Sequence, residues 1–325
     1  MRRKLLYAVV ILIYLAGFAA AAAPDLNRLA AAISASDVIG DFEERARGDP
    51  EDGQDTGAED GTGEDAWDPG LSEELRRAME EYNARIFAEG QSGMTDPWVY
   101  EQSGVELADY GVEDDVAAVI EIPSMSVELP VYLGATEDNM TKGAVHLGET
   151  SMPTGGENTN CVIAAHRGYR GIPMFQYIED VQVGDPVILT NLWETLVYRV
   201  SEIKVIDPSD IREILIRPGE DMVTLFTCHP YTHNYQRYVV LCTRDPGAEA
   251  AYAAGKDIEN GTASAEYAAD QGVSSDVRNA AIEDDGEILR RERLLRYGSY
   301  AALAAAGVAI LAGMSGKKGK RKKRR

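Results

Sequence analysis

The hydrophobic positions fall into three kinds of pattern. Residues 5–23 form a run of 19 without a charge, long enough to cross a bilayer as a helix. Residues 297–314 form a second uncharged run, rich in alanine. Residues 71–88 are amphipathic instead: Leu75, Ala78, Met79, Tyr82 and Ile86 recur at helical spacing with charges between them. Glu73 and Glu74 in the first turn suit the helix dipole, and Gly90 and Gly93 mark the stop. From residue 116 the pattern changes to short β-branched runs at 116–122, 127–132, 160–166, 186–190, 196–206, 222–227 and 237–244, divided by Pro and Gly turns. Small helical pieces are predicted at 136–141 and after Pro173. Many short strands with small helical insertions predict a closed all-β barrel.

Residues 37–68 are rich in Asp, Glu and Gly and carry too few apolar side chains to offset the entropy of ordering. Residues 248–285 return to Ala, Gly, Asp and Glu and read as a flexible or weakly helical linker, followed by a charged helical stretch at 288–296. The expected organisation is therefore a transmembrane anchor or signal at 1–23, an acidic disordered linker at 24–70 and one globular domain at 71–245. An acidic linker at 246–296, a transmembrane segment at 297–314 and a basic cytoplasmic tail at 315–325 follow. Basic residues at both ends place both termini in the cytoplasm if the first run is uncleaved, with the domain outside. The small residues at 20–23 leave cleavage of that run equally open.

A formal net charge of −22 argues against nucleic acid as a partner. Three cysteines are too few for a disulfide scaffold, and no Cys/His spacing reads as a metal site. Cys161 and Cys242 sit inside apolar strands and read as small buried hydrophobes, with a bridge between them left open. Cys228 ends a strand, before His229-Pro230, and Arg237 opens the next, nine positions on. If those strands pair as a hairpin, thiol and guanidinium share a rim. A cation favours the thiolate, which is the nucleophile, and arginine can also bind a developing oxyanion. His166 ends another strand and is the candidate acid/base. His146 competes for that role. His229 and His233 read as solvated loop residues, or as neighbours able to perturb the thiol.

Thr224-Leu225-Phe226-Thr227-Cys228 resembles the TLxTC signature of sortases. Pro230-Tyr231 and the spacing to Arg237 resemble class C, the pilin-polymerising branch from Gram-positive bacteria. His166-Arg167-Gly168 is similar to that family's HRG. Gly143-Ala144-Val145-His146-Leu147, Ser151-Met152-Pro153 and Gly155-Gly156-Glu157-Asn158 are similar to the run before it. Tyr82-Asn83 resembles a pair in the family's N-terminal helix, and Asp96-Pro97-Trp98 its lid motif, here within 94–100. The likeness covers about 71–244. There are two departures. A histidine stands at 229, where the family usually has a small polar residue, and Tyr169-Arg170-Gly171-Ile172 intervenes before Pro173.

The resemblance implies an eight-stranded sortase-type β-barrel with an N-terminal helix and lid loop, flanked by membrane segments. It implies a cysteine transpeptidase that cleaves an LPxTG-like sorting signal between Thr and Gly through a thioacyl intermediate. The acyl group is then joined to a pilin lysine amine. Cys228 is the nucleophile, His166 the acid/base in preference to His146, and Arg237 the oxyanion donor, with Arg167 a weaker rival. Thr227 supports the thiol. In the lid, Asp96 meets Arg237 and Trp98 covers Cys228. No cofactor is implied. The partners are pilin or surface proteins with C-terminal sorting signals, with peptidoglycan precursor as the other acceptor. Anchoring of single surface proteins, or a catalytically silent tethered binding module, are the alternative functions.

Overall fold

The computed structural model describes residues 2–47, 68–95, 100–254 and 280–319. Asp96, Pro97 and Trp98, residues 48–67 and 255–279 of the acidic linkers, and the basic tail from 320 lie outside the described residues. The chain divides into two compact units, Met1–Ala30 with Asn279–Arg325, and Ala31–Arg278.

The first unit is helical, formed by the start of α1 (Arg2–Arg47) and by a C-terminal helix (Ala280–Gly319). Tyr14 donates its hydroxyl to the Leu303 carbonyl at 3.3 Å, and Tyr300 bonds the Asp25 carboxylate. Among the described residues, one helix, Tyr7–Ala46, is long and apolar enough to cross a membrane. Its Leu12, Ile13 and Leu15 side chains are exposed, as lipid-facing side chains would be.

The second unit is the expected barrel. Its strands are β1 (Val116–Ile122), β2 (Val127–Leu133), β3 (Ala144–His146), β4 (Thr159–Ala164), β5 (Pro186–Asn191), β6 (Thr195–Ile206), β7 (Asp221–His229) and β8 (Gln236–Arg244). They close in the order β1-β2-β3-β4-β7-β8-β6-β5. Two pairings are parallel, β2 with β3 and β4 with β7. The long β6 serves both β5 and β8, and a register shift between Val200 and Glu202 bends it. Cys161 and Cys242 flank Val223 from its two sides and are free. Two strand spacings, about 9.6 Å, separate them, beyond the reach of a disulfide. Burial pushes both thiols up out of the titrating range.

The amphipathic stretch forms α2 (Pro69–Ala88). Asp68 caps it by accepting from Gly70 N at 2.8 Å, and Pro69 opens it. Its buried face is Leu75, Met79, Tyr82, Asn83 and Ile86. Asn83 ties the helix to the run before β4: its Oδ1 accepts from Met152 N at 2.7 Å and its Nδ2 donates to Thr154 Oγ1 at 2.9 Å. Thr136 caps α3 (Glu137–Lys142) by accepting from Asn139 N at 3.2 Å.

Three expectations are corrected. Residues 24–47 are not linker: α1 runs through them to Arg47, with Ile39 and Phe42 buried in the core and Arg45 paired with Asp114 at 2.6 Å. Two apolar anchors and one ion pair suffice to dock an otherwise polar helix end. Residues 246–253 also leave the linker, as α4 (Pro246–Ala253), capped by Asp245, which accepts from Gly247 N and Ala248 N. After Pro173 the chain makes turns and a single 3-10 turn, Ile178–Asp180, rather than a longer helix.

Candidate active site

β7 carries the site. Alternation along it leaves Phe226 and Cys228 half-buried on one face, and buries Leu225, Thr227 and His229 on the other. β8 pairs antiparallel, and its register sets Arg237 opposite Cys228. β4 lies on the far side of β7 and runs parallel, with Ala164 level with Phe226. The Ala165 amide donates to the Phe226 carbonyl at 3.2 Å, which carries the pairing one residue further. His166 follows two residues after the end of β4, the strand that neighbours β7. Thr227 fixes the join: its buried hydroxyl donates to the Ala165 carbonyl at 2.7 Å. Three neighbouring strand ends thus present an imidazole, a thiol and a guanidinium.

Each is held locally. The His166 ring stacks on Tyr169, with centroids 5.0 Å apart and planes 14° from parallel. Tyr169 and Ile172 exchange backbone hydrogen bonds of 2.8 and 2.7 Å across Arg170 and Gly171, at φ 46° and 92°. The intervening residues therefore fold into a tight turn that delivers a ring to the imidazole. Sequence reasoning saw the longer loop and missed Tyr169. Its signal was an aromatic beside a turn-forming glycine. Partial burial lowers the His166 pKa from its ordinary value. Arg237 donates from Nη1 to the carbonyls of Asn234 and Gln236, at 3.0 and 2.9 Å.

The remaining histidines separate cleanly. His146 ends β3, fully buried, with Nε2 3.1 Å from the Thr150 carbonyl. Burial pushes its pKa down to about 4, so it is a neutral core residue. His233 is exposed in the loop, as expected. His229 is not a solvated loop residue: it is the last residue of β7 and fully buried. The strand runs past the thiol because its face alternation buries the next side chain against a waiting partner. That partner is Arg167, whose Nη1 donates to His229 Nδ1 at 2.6 Å and whose Nη2 bonds Glu179. With its side chain 2% exposed, Arg167 is no rival to Arg237 at the surface.

A thiol able to attack, an imidazole able to move a proton and a fixed cation for a developing oxyanion suit acyl transfer through a thioester. Comparison with known proteins agrees. A sortase domain model matches residues 120–245. Sortase C of Streptococcus pneumoniae is 33% identical, with a TM-score of 0.52, over 65% of this chain and 97% of that one. The chain belongs to the sortase family. Sortase C1 of GBS pilus island 1 is 30% identical at a TM-score of 0.50, over 62% of this chain and 91% of that one. The structural neighbours are thus class C sortases, and the barrel is the family's. Among curated proteins, sortase A of Bacillus anthracis is 33% identical over 121 residues, 37% of this chain. The match spans little more than half of that relative, 56% of its length. Sortases are cysteine transpeptidases acting on surface or pilin proteins that carry sorting signals.

Proposed function

We propose that this chain is a membrane-tethered, class C-type sortase that polymerises pilin subunits, with Cys228, His166 and Arg237 as its catalytic residues. The observation that carries this reading is the adjacency of β4, β7 and β8, with Cys228 opposite Arg237 and the end of β4 alongside. The Cys228 thiolate attacks the Thr carbonyl carbon of an LPxTG-like signal. The carbonyl oxygen gains charge and takes hydrogen bonds from Arg237. As the Thr–Gly bond breaks, protonated His166 gives its proton to the leaving Gly amine, and a thioester remains on Cys228. A pilin lysine amine then attacks the thioester, His166 takes its proton, and the thiolate leaves. A histidine whose pKa is lowered by burial is a stronger acid when charged, which suits donation to an amine. Amide becomes thioester and then amide again, so the cycle needs no redox partner.

The same reading assigns Thr227 to hold the thiol's strand, and Asp96 and Trp98 to a lid over Arg237 and Cys228. The apolar N-terminal helix supports membrane anchoring with the domain outside and the N-terminus in the cytoplasm; the 297–314 run is assigned to a second span. In cells that make pili, Cys228→Ala abolishes high-mass pilin ladders. Ladders that persist in that variant refute the assignment. Anchoring single proteins to peptidoglycan precursor differs only in the acceptor amine. The sortase A relatives favour keeping it as the second reading. Mass spectrometry of the product's new amide bond separates the two.

A further inference from the structure

The residues that follow or flank the three candidate groups meet one another behind them. Arg167 follows His166, His229 follows Cys228, and Tyr238 follows Arg237. Because strand side chains alternate faces, neighbours of residues at the groove turn inward. There, Arg167 Nη1 donates to His229 Nδ1 at 2.6 Å, and Arg167 Nη2 bonds Glu179 from the Ile178–Asp180 turn. The Arg167 guanidinium lies 5.8 Å from the centre of the Tyr238 ring, and the His229 ring lies 5.6 Å from it. The side chains of Arg167, Glu179 and His229 are 2%, 7% and 0% exposed. A charged pair this deep is costly to bury and stabilises only when its geometry is well made. Such groups have discrete partners, unlike apolar packing, so they fix relative position.

We propose that Arg167, His229 and Glu179 form a positioning cluster that sets the spacing of His166 against Cys228 and Arg237. The cluster ties β4, β7 and β8 together one residue beyond the reacting groups. His229 accepts through Nδ1, so its proton sits on Nε2 and it serves as an acceptor for Arg167. The inference rests on the transpeptidase reading given above.

The test is the pH profile of Cys228 alkylation by iodoacetamide, followed by intact mass on the full chain. Cys161 and Cys242 are buried and stay unlabelled. His166→Ala is expected to displace the wild-type profile. His229→Asn, whose side-chain oxygen can accept from Arg167 as Nδ1 does, keeps the profile and a labelling rate within about twofold. His229→Leu, of similar size but unable to accept, displaces the profile toward that of H166A and changes the rate at neutral pH at least threefold. A His229→Leu profile that superimposes on wild type, while H166A is displaced, overturns the positioning role and leaves the catalytic reading standing. Equal displacement in H229N and H229L also overturns it, since packing alone then explains both. An H166A profile identical to wild type defeats the catalytic reading itself, and this inference with it. Where H229L does not fold, Glu179→Gln decides: a displaced profile supports the cluster and an unmoved one overturns it.

Discussion

Replacing His146 with glutamine should flatten the acid limb of the stability curve. In the folded chain His146 is fully buried, with Nε2 3.1 Å from the Thr150 carbonyl, and its pKa is pushed down to about 4 by burial. In the unfolded chain it titrates near its ordinary 6.5. Between those values the unfolded state holds a proton that the native state refuses. Stability is therefore complete above about pH 6.5 and falls as pH drops toward 4. Each pH unit in that window is worth about 1.4 kcal/mol, so the histidine accounts for a loss of roughly 3 kcal/mol by pH 4. Glutamine can present its amide nitrogen to the same carbonyl and has no proton to gain. Urea unfolding of wild type and His146→Gln across pH 4 to 7 measures the difference, and contributions from carboxylates cancel between the two. The two curves are expected to run parallel above pH 6.5 and to converge or cross below it. If they stay parallel down to pH 4, His146 is not a buried neutral imidazole, and its assignment to the core fails.

Phe42→Ala tests whether the end of α1 belongs to the folded domain. The ring is fully buried, and its removal should cost about 3 kcal/mol in urea unfolding; a loss below about 1 kcal/mol would place it outside the core. Thr227→Val strips the hydroxyl that satisfies the buried Ala165 carbonyl, and should cost about 1–2 kcal/mol with recovery in Thr227→Ser. A valine variant as stable as wild type, beside a weakened serine variant, would show that methyl packing, not the hydrogen bond, matters there. Trp98→Ala is expected to speed alkylation of Cys228 several-fold if the Asp-Pro-Trp motif covers the thiol. An unchanged rate would mean that this segment has another role.

Strands whose burial is decided locally were legible. β1 matched its β-branched run residue for residue, and β7 began where Met222 and Val223 gave the apolar signal, within one position. What failed depended on partners far away in sequence. β3 is three residues long and exists only because β2 and β4 flank it. His229 was misplaced because a histidine before proline looks like a turn, while its reason for burial, Arg167, lies 62 positions upstream. The end of α1 was hidden in an acidic, alanine-rich composition in which Val38, Ile39 and Phe42 gave a faint hint of a core face. α4 was readable in principle: Asp245-Pro246 is a cap followed by a first-turn proline. For the site, the motif positions of Cys228, His166 and Arg237 were visible, whereas the stacking of Tyr169 on His166 needed the fold of a turn.

The wedge position of β8 has a consequence for how the molecule is made. It is the last strand synthesised, and it inserts between β6 and β7, which until then each have a bare edge open to other chains. A nascent chain that stops short of residue 236 is therefore an unsealed sheet prone to sticking, and it also carries a thiol with no guanidinium across from it. Sealing of the wall and the placement of Arg237 opposite Cys228 therefore arrive in one step.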